Sequence, residues 1–384
     1  QLGSYIGVGV DDKSKWIRFS ISPTDFQSMV FSDGKYQFIE PQNSNKSVYA
    51  VFPKSKKSVG NHALECGIDE NFLKKKQIDK LASKSVSTES YTNFQQSSEQ
   101  KFRTYRLAIS TTAEYSNYFG GVAGAMEAIN ATMTRVNGVF EKDFAIHLMV
   151  QNFPQLIFTD STNDPYSPSN VGAGEFKWSL ELQQTLTSTI GNSAYDVGHL
   201  FGDTGGGGNA GDIGTVCRNP ANANDGLAKG SGFTSPKDGI PKGDAFDIDF
   251  VAHEMGHQLG AWHTYAYIQE LGNIAQMEPG SGSTIMGYAG ITGSYDVQSF
   301  SDPYFHAISI KQVHDYVNTQ TCGTVMTVAN TPPSITALQS KSIPKGTAFV
   351  LTAAATDKEN DALTDTWEQY DNATTAIKTV TGNE

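Results

Sequence analysis

Short runs in which apolar and polar residues alternate occupy the start of the chain and predict β-strands. A turn is predicted at Asp33-Gly34. From about residue 74 to 99 apolar residues become scarce among Lys, Ser, Thr, Gln and Glu, which indicates an exposed linker. Residues 1–102 are therefore predicted to form a β-rich block that ends in a linker. The predicted strands are residues 8–10, 16–21, 36–40 and 47–52.

A pattern in which strands alternate with helices begins near Arg103 and predicts an α+β domain with a twisted mixed sheet. Asn137-Gly138 is a helix stop signal. The glycine run at 205–208 lacks the Gly-Lys-Ser/Thr ending of a phosphate loop, so we expect a flexible rim there. The predicted strands are residues 105–110, 144–150 and 195–201, and helices are predicted within 122–136 and 176–190.

The composition changes again after Cys322. Thr331-Pro-Pro is a linker signal, and the apolar run that follows it predicts the start of a β-sandwich of the Ig-like or cadherin-like kind over residues 329–384. An acidic turn in this region offers clustered oxygen atoms that could bind Ca²⁺, and a solvated turn is the alternative. Its polar residues are Asp357, Glu359, Asn360 and Asp361.

Charge is distributed unevenly along the chain. Residues 1–102 contain 14 Lys and Arg against 11 Asp and Glu, whereas residues 103–322 contain 10 against 22. These two blocks could attract each other, and unrelated solvated faces are the alternative. The overall net charge of −12 argues against a nucleic-acid partner. No run of 18 apolar residues is present, so no membrane-spanning helix is predicted.

Three histidines at fixed spacing form the strongest candidate site. His253 and His257 are four residues apart, so on a helix both project from one face and can reach one Zn²⁺. Glu254 follows the first histidine and is placed to accept a proton from water at the open position of the metal. Gly260 permits a left-handed turn that brings His263 back as a third ligand. Three histidines and one open position are typical of catalytic zinc.

This histidine pattern is followed by a Met-containing turn, Ser283-Thr-Ile-Met286-Gly-Tyr288, and together they resemble the metzincin clan of zinc endopeptidases. Residues 105–115, 243–249 and 278–290 are similar to bacterial reprolysin-like peptidases of the adamalysin/ADAM-related group. The resemblance implies a two-part catalytic domain over residues 103–328. Its upper part would be a twisted sheet that ends in the zinc-binding helix, and its smaller, irregular lower part would carry the Met-turn, with Met286 as a hydrophobic floor beneath the histidines.

The same resemblance implies an extended substrate that pairs with an edge strand, and residues 195–201 are our candidate for that strand. Two positions depart from the adamalysin pattern. Thr264 stands where animal adamalysins commonly have Asp. Tyr288 stands where astacins and serralysins have a Tyr that ligates zinc or stabilises the intermediate. Tyr288 is therefore a candidate catalytic residue or, alternatively, a packing residue.

Three cysteines make an odd count, so a secreted chain would pair two and leave one over. The simplest pairing joins Cys217 to Cys322. The remaining Cys66 lies in the segment His62-Ala-Leu-Glu-Cys66-Gly-Ile, which is similar to the cysteine switch of metzincin zymogens. In that switch a pro-segment thiolate takes the fourth zinc position of the latent form. A buried structural thiol is the alternative.

These features predict a zinc endopeptidase that is secreted or displayed at the cell surface as a latent zymogen. Residues 1–102 would be a pro-domain that acts as an intramolecular inhibitor, and cleavage between about residues 84 and 103 would release it. Its substrates would be proteins or peptides. The alternatives are an active peptidase closer to the astacin or serralysin type, and a zinc-bearing adhesion module without catalysis. An adhesion module has no need of Glu254.

Overall fold

The computed structural model describes most of the chain except two long stretches near the N-terminus and a few short ones. The predicted linker at 74–99, except its last residue, and most of the proposed cleavage stretch lie outside the described residues. The described residues are 2–54, 66–67, 99–169, 177–205, 207–268, 275–373 and 375–377.

An antiparallel meander of five strands forms the N-terminal sheet, with the strands in chain order. The predicted turn at Asp33-Gly34 is confirmed, with positive φ at both residues. The first strand ends earlier than predicted, because Gly9 N donates to Lys15 O and the chain turns there. The strands are β1 (Gly3–Val8), β2 (Trp16–Ile21), β3 (Phe26–Ser32), β4 (Lys35–Pro41) and β5 (Tyr49–Pro53).

A second, mixed sheet lies in the middle of the chain, as the sequence predicts. Its strands are β6 (Lys101–Thr111), β7 (Ile146–Val150), β8 (Val197–Phe201), β9 (Gly207–Asn209), β10 (Gly232–Ser235) and β11 (Thr324–Thr327). β6 pairs in parallel with β7 on one side and with β8 on the other, where β11 also joins it antiparallel. β10 continues the sheet parallel to β8, and β9 ends it as an antiparallel edge strand.

The expectation that residues 195–201 form the substrate-binding edge is wrong. β8 has β6 on one side and β10 on the other, so its backbone groups are already paired. β9, which lies in the glycine run expected to be a flexible rim, is instead the strand at this end of the sheet. Sheet order decides which strand is at the edge, and that order depends on long-range pairing.

Five α-helices lie in the described part of the middle domain: α1 (Ala113–Tyr118), α2 (Val122–Phe144), α3 (Lys177–Thr189), α4 (Ala252–Gln258) and α5 (Ala307–Val317). α2 continues through Asn137-Gly138, where a stop was predicted. Asn137 pairs with the backbone of Leu148 through both its side-chain oxygen and nitrogen. A methyl group on Gly138 would lie 2.3 Å from Met29 Cε, so glycine is needed for close packing of the N-terminal sheet. Both residues are explained by tertiary contacts.

The N-terminal sheet packs directly on α2. Met29 and Phe38 are fully buried in one apolar cluster with Met133 and Val136. Ion pairs join the two blocks around this contact. This agrees with the hypothesis that the N-terminal and middle blocks attract each other. These pairs are Arg18 with Glu141, Lys46 with Glu127, Lys54 with Asp249, and Glu40 with Arg135.

Only a short strand pair is described in the C-terminal region, between β12 (Ser334–Ile335) and β13 (Ala355–Thr356). The β-sandwich over residues 329–384 stays a prediction. Asp357 accepts hydrogen bonds from the backbone of its own turn, and Glu359 accepts one from the Thr331 hydroxyl. Calcium binding there also stays a prediction. No helix in the described ranges has the length and apolar content to cross a membrane.

Candidate active site

A continuous helical segment carries the first two histidines. A π-helix at Ala245–Val251 runs into α4, which contains His253, Glu254 and His257, all buried. The helix ends where predicted, because Gly260 has a φ of 110° and its N–H donates to His257 O. The chain then reverses and places His263 beside the other two histidines.

The three histidines converge on one point. His257 Nε2 lies 3.1 Å from His253 Nε2 and 3.0 Å from His263 Nε2. Cys66 Sγ lies 3.6 Å from His257 Nε2. One ligand atom from each of these four residues lies within 4.8 Å of the others. The sequence prediction that these four side chains meet in space agrees with this geometry.

The hydrogen bonds behind the imidazoles fit a metal cation. His253 Nδ1 donates to Ile285 O and His257 Nδ1 donates to Ala261 O, each at 2.7 Å. Since a carbonyl can only accept, the hydrogen is on Nδ1 and Nε2 presents a lone pair. Burial lowers the pKa of His253 to about 3 and also lowers the pKa of His257, so both rings are neutral. Facing lone pairs at this distance match the donor set of zinc.

Glu254 is a buried carboxylate next to these donors. Both of its oxygens are buried away from solvent, and the Cys66 thiol is the donor that acts on them. Burial raises the pKa of Glu254 to about 8, while the Cys66 thiol and His263 oppose that rise. Its burial beside a metal-type donor set keeps Glu254 a candidate for the general base that the sequence predicts.

The Met-containing turn packs directly against α4. Met286 is fully buried, and a methyl group on Gly256 would lie 2.8 Å from its sulfur. The neighbouring carbonyl of Ile285 is the one that orients His253. Tyr288 is half-buried, and the centroid of its ring lies 4.6 Å from that of His263. Both sequence candidates in this turn are therefore adjacent to the histidines.

Comparison with known proteins bears on this arrangement. The sequence profile of the family described as Metallo-peptidase family M12B, reprolysin-like, matches residues 101–320. The chain belongs to this family. The protein is accordingly a metalloendopeptidase, and the match supports the reprolysin-like group over the alternatives of an astacin- or serralysin-type enzyme and an adhesion module.

Other comparisons add little to the family assignment. No curated protein sequence matches the chain. Among solved structures, the crystal structure of metalloproteinase-II from Bacteroides fragilis is similar at 11% identity, covers 82% of each chain and has a TM-score of 0.37. That value is too low for any structural conclusion.

In this reprolysin-like peptidase, the Cys66-Gly67 segment lies at the edge strand of the cleft. Cys66 and Gly208 of β9 form a parallel bridge, and Gly67 N donates to Gly208 O at 2.8 Å. Asn209 Nδ2 donates to Gly67 O at 2.7 Å. The segment therefore occupies the edge of β9 beside the three histidines.

The disulfide of the reprolysin-like domain joins Cys217 to Cys322, as predicted. Their Cα atoms are 5.5 Å apart, and the bond ties the segment between β9 and β10 to the segment between α5 and β11. Cys66 takes no part in that bond, which leaves its thiol in the histidine cluster.

One charged group near the site was not singled out by the sequence. Glu278 is 7% exposed, and its carboxylate accepts hydrogen bonds from Thr264, Ser283 and Thr284. The sequence could have pointed to Glu278 in one way, because this residue begins the segment 278–290 that is similar to reprolysin-like peptidases. Its partners could not be inferred from spacing, because they lie 14 residues before it and five and six residues after it.

Proposed function

We propose that this metalloendopeptidase is a zinc-dependent enzyme made as a latent zymogen. His253, His257 and His263 would hold zinc, and Glu254 would be the general base. The observation that carries this proposal is the convergence of histidine Nε2 atoms, 3.0 and 3.1 Å apart, beside the fully buried carboxylate of Glu254. Proteins and peptides would be the substrates.

Zinc and the side chains of the protein would have different roles in peptide-bond hydrolysis. Bound zinc would supply a Lewis acid that polarises the scissile carbonyl and makes water more acidic. Glu254 would accept a proton from the attacking water and pass it to the leaving amine, a task that its raised pKa suits. Tyr288, whose ring lies beside His263, would donate a hydrogen bond to the oxygen that gains negative charge.

We assign substrate binding to the edge of β9. An extended peptide there would add a strand to the sheet and bring a peptide bond to the histidines. In the structure that edge is occupied by Cys66-Gly67, whose backbone and neighbouring side-chain hydrogen bonds imitate such an added strand. A substrate cannot use the same edge while this segment is bound, so the contact supports latency.

Cys66 would complete the latent site as a fourth, thiolate ligand. Its sulfur lies 3.6 Å from His257 Nε2, and the packing of the N-terminal sheet on α2 would keep the segment in place. We assign residues 1–102 to the pro-domain, 103–328 to the catalytic domain and 329–384 to part of a β-sandwich. Activation would require cleavage between about residues 84 and 103. A disulfide between Cys217 and Cys322 suits a secreted or cell-surface protein.

Replacement of Glu254 tests the proposed function. Glu254→Gln should keep its zinc but lose peptidase activity by orders of magnitude, because a neutral amide cannot accept the proton. Zinc content would be measured by mass spectrometry and activity on a protein substrate after proteolytic activation. Glu114→Gln, at an exposed position of α1, is the matched control and should retain both. Appreciable hydrolysis by zinc-loaded Glu254→Gln would contradict the assigned role.

A further inference from the structure

A buried carboxylate connects the two parts of the chain that flank the histidine cluster. We propose that Glu278 is a positioning residue of the zinc site, which fixes His263 relative to the Met-turn that orients His253. The inference rests on the proposed ligand set and extends it to a residue with no direct contact to those ligands in the described hydrogen bonds. It follows from the hydrogen bonds on either side of the Glu278 side chain.

On the first side, Glu278 holds the residue that follows His263. The Thr264 hydroxyl donates to Glu278 Oε2. The backbone strengthens this link, because Glu278 N donates to Thr264 O at 2.8 Å. Thr264 is fully buried, so water does not compete for these groups. The orientation of the chain immediately after His263 therefore depends on Glu278.

On the second side, Glu278 holds the start of the Met-turn. Glu278 Oε1 accepts from Ser283 N at 2.9 Å and from Thr284 N at 3.0 Å, and Oε2 accepts from the Thr284 hydroxyl at 2.6 Å. Thr284 directly precedes Ile285, whose carbonyl accepts the hydrogen bond from His253 Nδ1. The Glu278 carboxylate thus contacts the residue that follows His263 and the residue that precedes Ile285, the acceptor of the His253 hydrogen bond.

The described groups that face the two Glu278 oxygens are N–H and hydroxyl donors, and both oxygens of a carboxylate can accept from such groups. Among the described residues no Lys or Arg forms an ion pair with Glu278. Removal of the side chain would leave the backbone N–H groups of Ser283 and Thr284 unpaired, which is costly for buried groups.

This arrangement also accounts for the departure at Thr264. The reprolysin-like resemblance leads one to expect Asp at the position after the third histidine, and this chain has Thr. In this chain the Thr264 hydroxyl donates instead to the carboxylate of Glu278, which comes from another segment. A comparison of single residues after the third histidine therefore misses this carboxylate.

The test is a measurement of zinc affinity, which does not depend on activity. Competition with a chromogenic chelator on the full chain should show that Glu278→Ala weakens zinc binding about 10- to 100-fold, the usual range for groups that orient ligands. Glu278→Gln should recover most of the affinity, since its oxygen can serve the backbone donors and its amide can donate to the threonine hydroxyls. After proteolytic activation, kcat of the Glu278→Ala variant should fall with little change in its KM.

Two comparison variants separate positioning from general loss of stability. Asp196 is also buried and accepts three hydrogen bonds, all from Arg106, so Asp196→Ala should destabilise the domain without weakening zinc binding. Thr264→Val removes only the hydroxyl that faces Glu278 and should weaken zinc binding several-fold in a folded protein. This variant keeps the inference testable if Glu278→Ala does not fold.

The possible outcomes are distinct. Wild-type zinc affinity in folded Glu278→Ala, or in folded Thr264→Val if the former does not fold, would overturn the positioning role. Equal losses of affinity in Glu278→Ala and Asp196→Ala would also overturn it, since destabilisation alone would then explain both. His263→Ala is the reference for the ligand set. If that variant binds zinc as tightly as the wild type, the proposed function fails and not merely the role of Glu278.

Discussion

Arg135 is a buried cation that joins the N-terminal sheet to the helical segment before the proposed zinc ligands. Its Nη1 lies 2.6 Å from Glu40 Oε1 on β4 and 2.9 Å from Asp247 Oδ2 on the π-helix. The guanidinium also lies 5.2 Å from the centroid of the Phe38 ring. We expect Arg135→Met to keep much of this packing and to remove the charge.

The size of the expected loss of stability in Arg135→Met follows from the burial of Asp247, the partner that remains. The side chain of Asp247 is 2% exposed, so without Arg135 its charge would be buried and uncompensated. Breaking a buried ion pair by removal of one partner costs about 3–5 kcal/mol in the free energy of unfolding. The matched control is Lys311→Met, because Lys311 and Asp315 form an exposed pair on α5. That variant should lose only about 0.5 kcal/mol or less.

The loss of stability in Arg135→Met should depend on pH, and the direction follows from the titration of Asp247. Burial raises the pKa of Asp247 to about 6 in the folded protein, although Arg135 opposes the rise, and an ordinary Asp has a pKa of about 3.9. Between these values the folded state binds more protons than the unfolded state, so the stability contributed by this group falls as pH rises. Without Arg135 the pKa of Asp247 should rise further and extend the window upward. The deficit of Arg135→Met should therefore be largest near pH 8 and shrink toward pH 5.

Urea unfolding followed by tryptophan fluorescence at pH 5, 6 and 8 would measure these differences. The reasoning would be refuted if Arg135→Met lost no more stability than Lys311→Met at pH 8. It would also be refuted if the deficit grew on acidification. Either result would mean that Asp247 is not held as a buried charge by Arg135.

Two further predictions concern the cleft. Tyr288→Phe should lower kcat by roughly 10- to 1000-fold with zinc content unchanged, on the scale of one lost oxyanion donor; an unchanged kcat would make Tyr288 a packing residue. Cys66→Ala should make the uncleaved chain partly active on a small peptide substrate, since the proposed thiolate ligand is gone while the N-terminal sheet remains packed on α2. Full latency in this variant would contradict the switch.

Features that depend on local geometry or on residue counts could be predicted from the amino-acid sequence. His253 and His257 share one helix face because of their four-residue spacing, and Gly260 reverses the chain because its φ of 110° suits glycine. The Cys217–Cys322 pairing followed from three cysteines of which one lies in the N-terminal block. These inferences needed no knowledge of distant contacts.

Features in which a distant segment overrides a local signal could not be predicted from the sequence, because they depend on long-range contacts. Asn137-Gly138 is a stop signal, yet α2 continues because Asn137 binds the backbone of Leu148 and Gly138 lies against Met29. β8 has the composition of any buried strand, and only its pairing shows that it is interior while β9 is the edge.

The surroundings of the site follow the same rule. The spacing of the histidines predicts the proposed ligands, but Glu278, which connects Thr264 to the Met-turn, has partners 14 and 6 residues away that no periodicity brings together. Likewise Arg135 is an ordinary helix residue in sequence, and it becomes a buried cation because Glu40 and Asp247 meet it from elements about 100 residues away on either side. A buried charge is specified by what surrounds it in space, and that is a property of the folded chain.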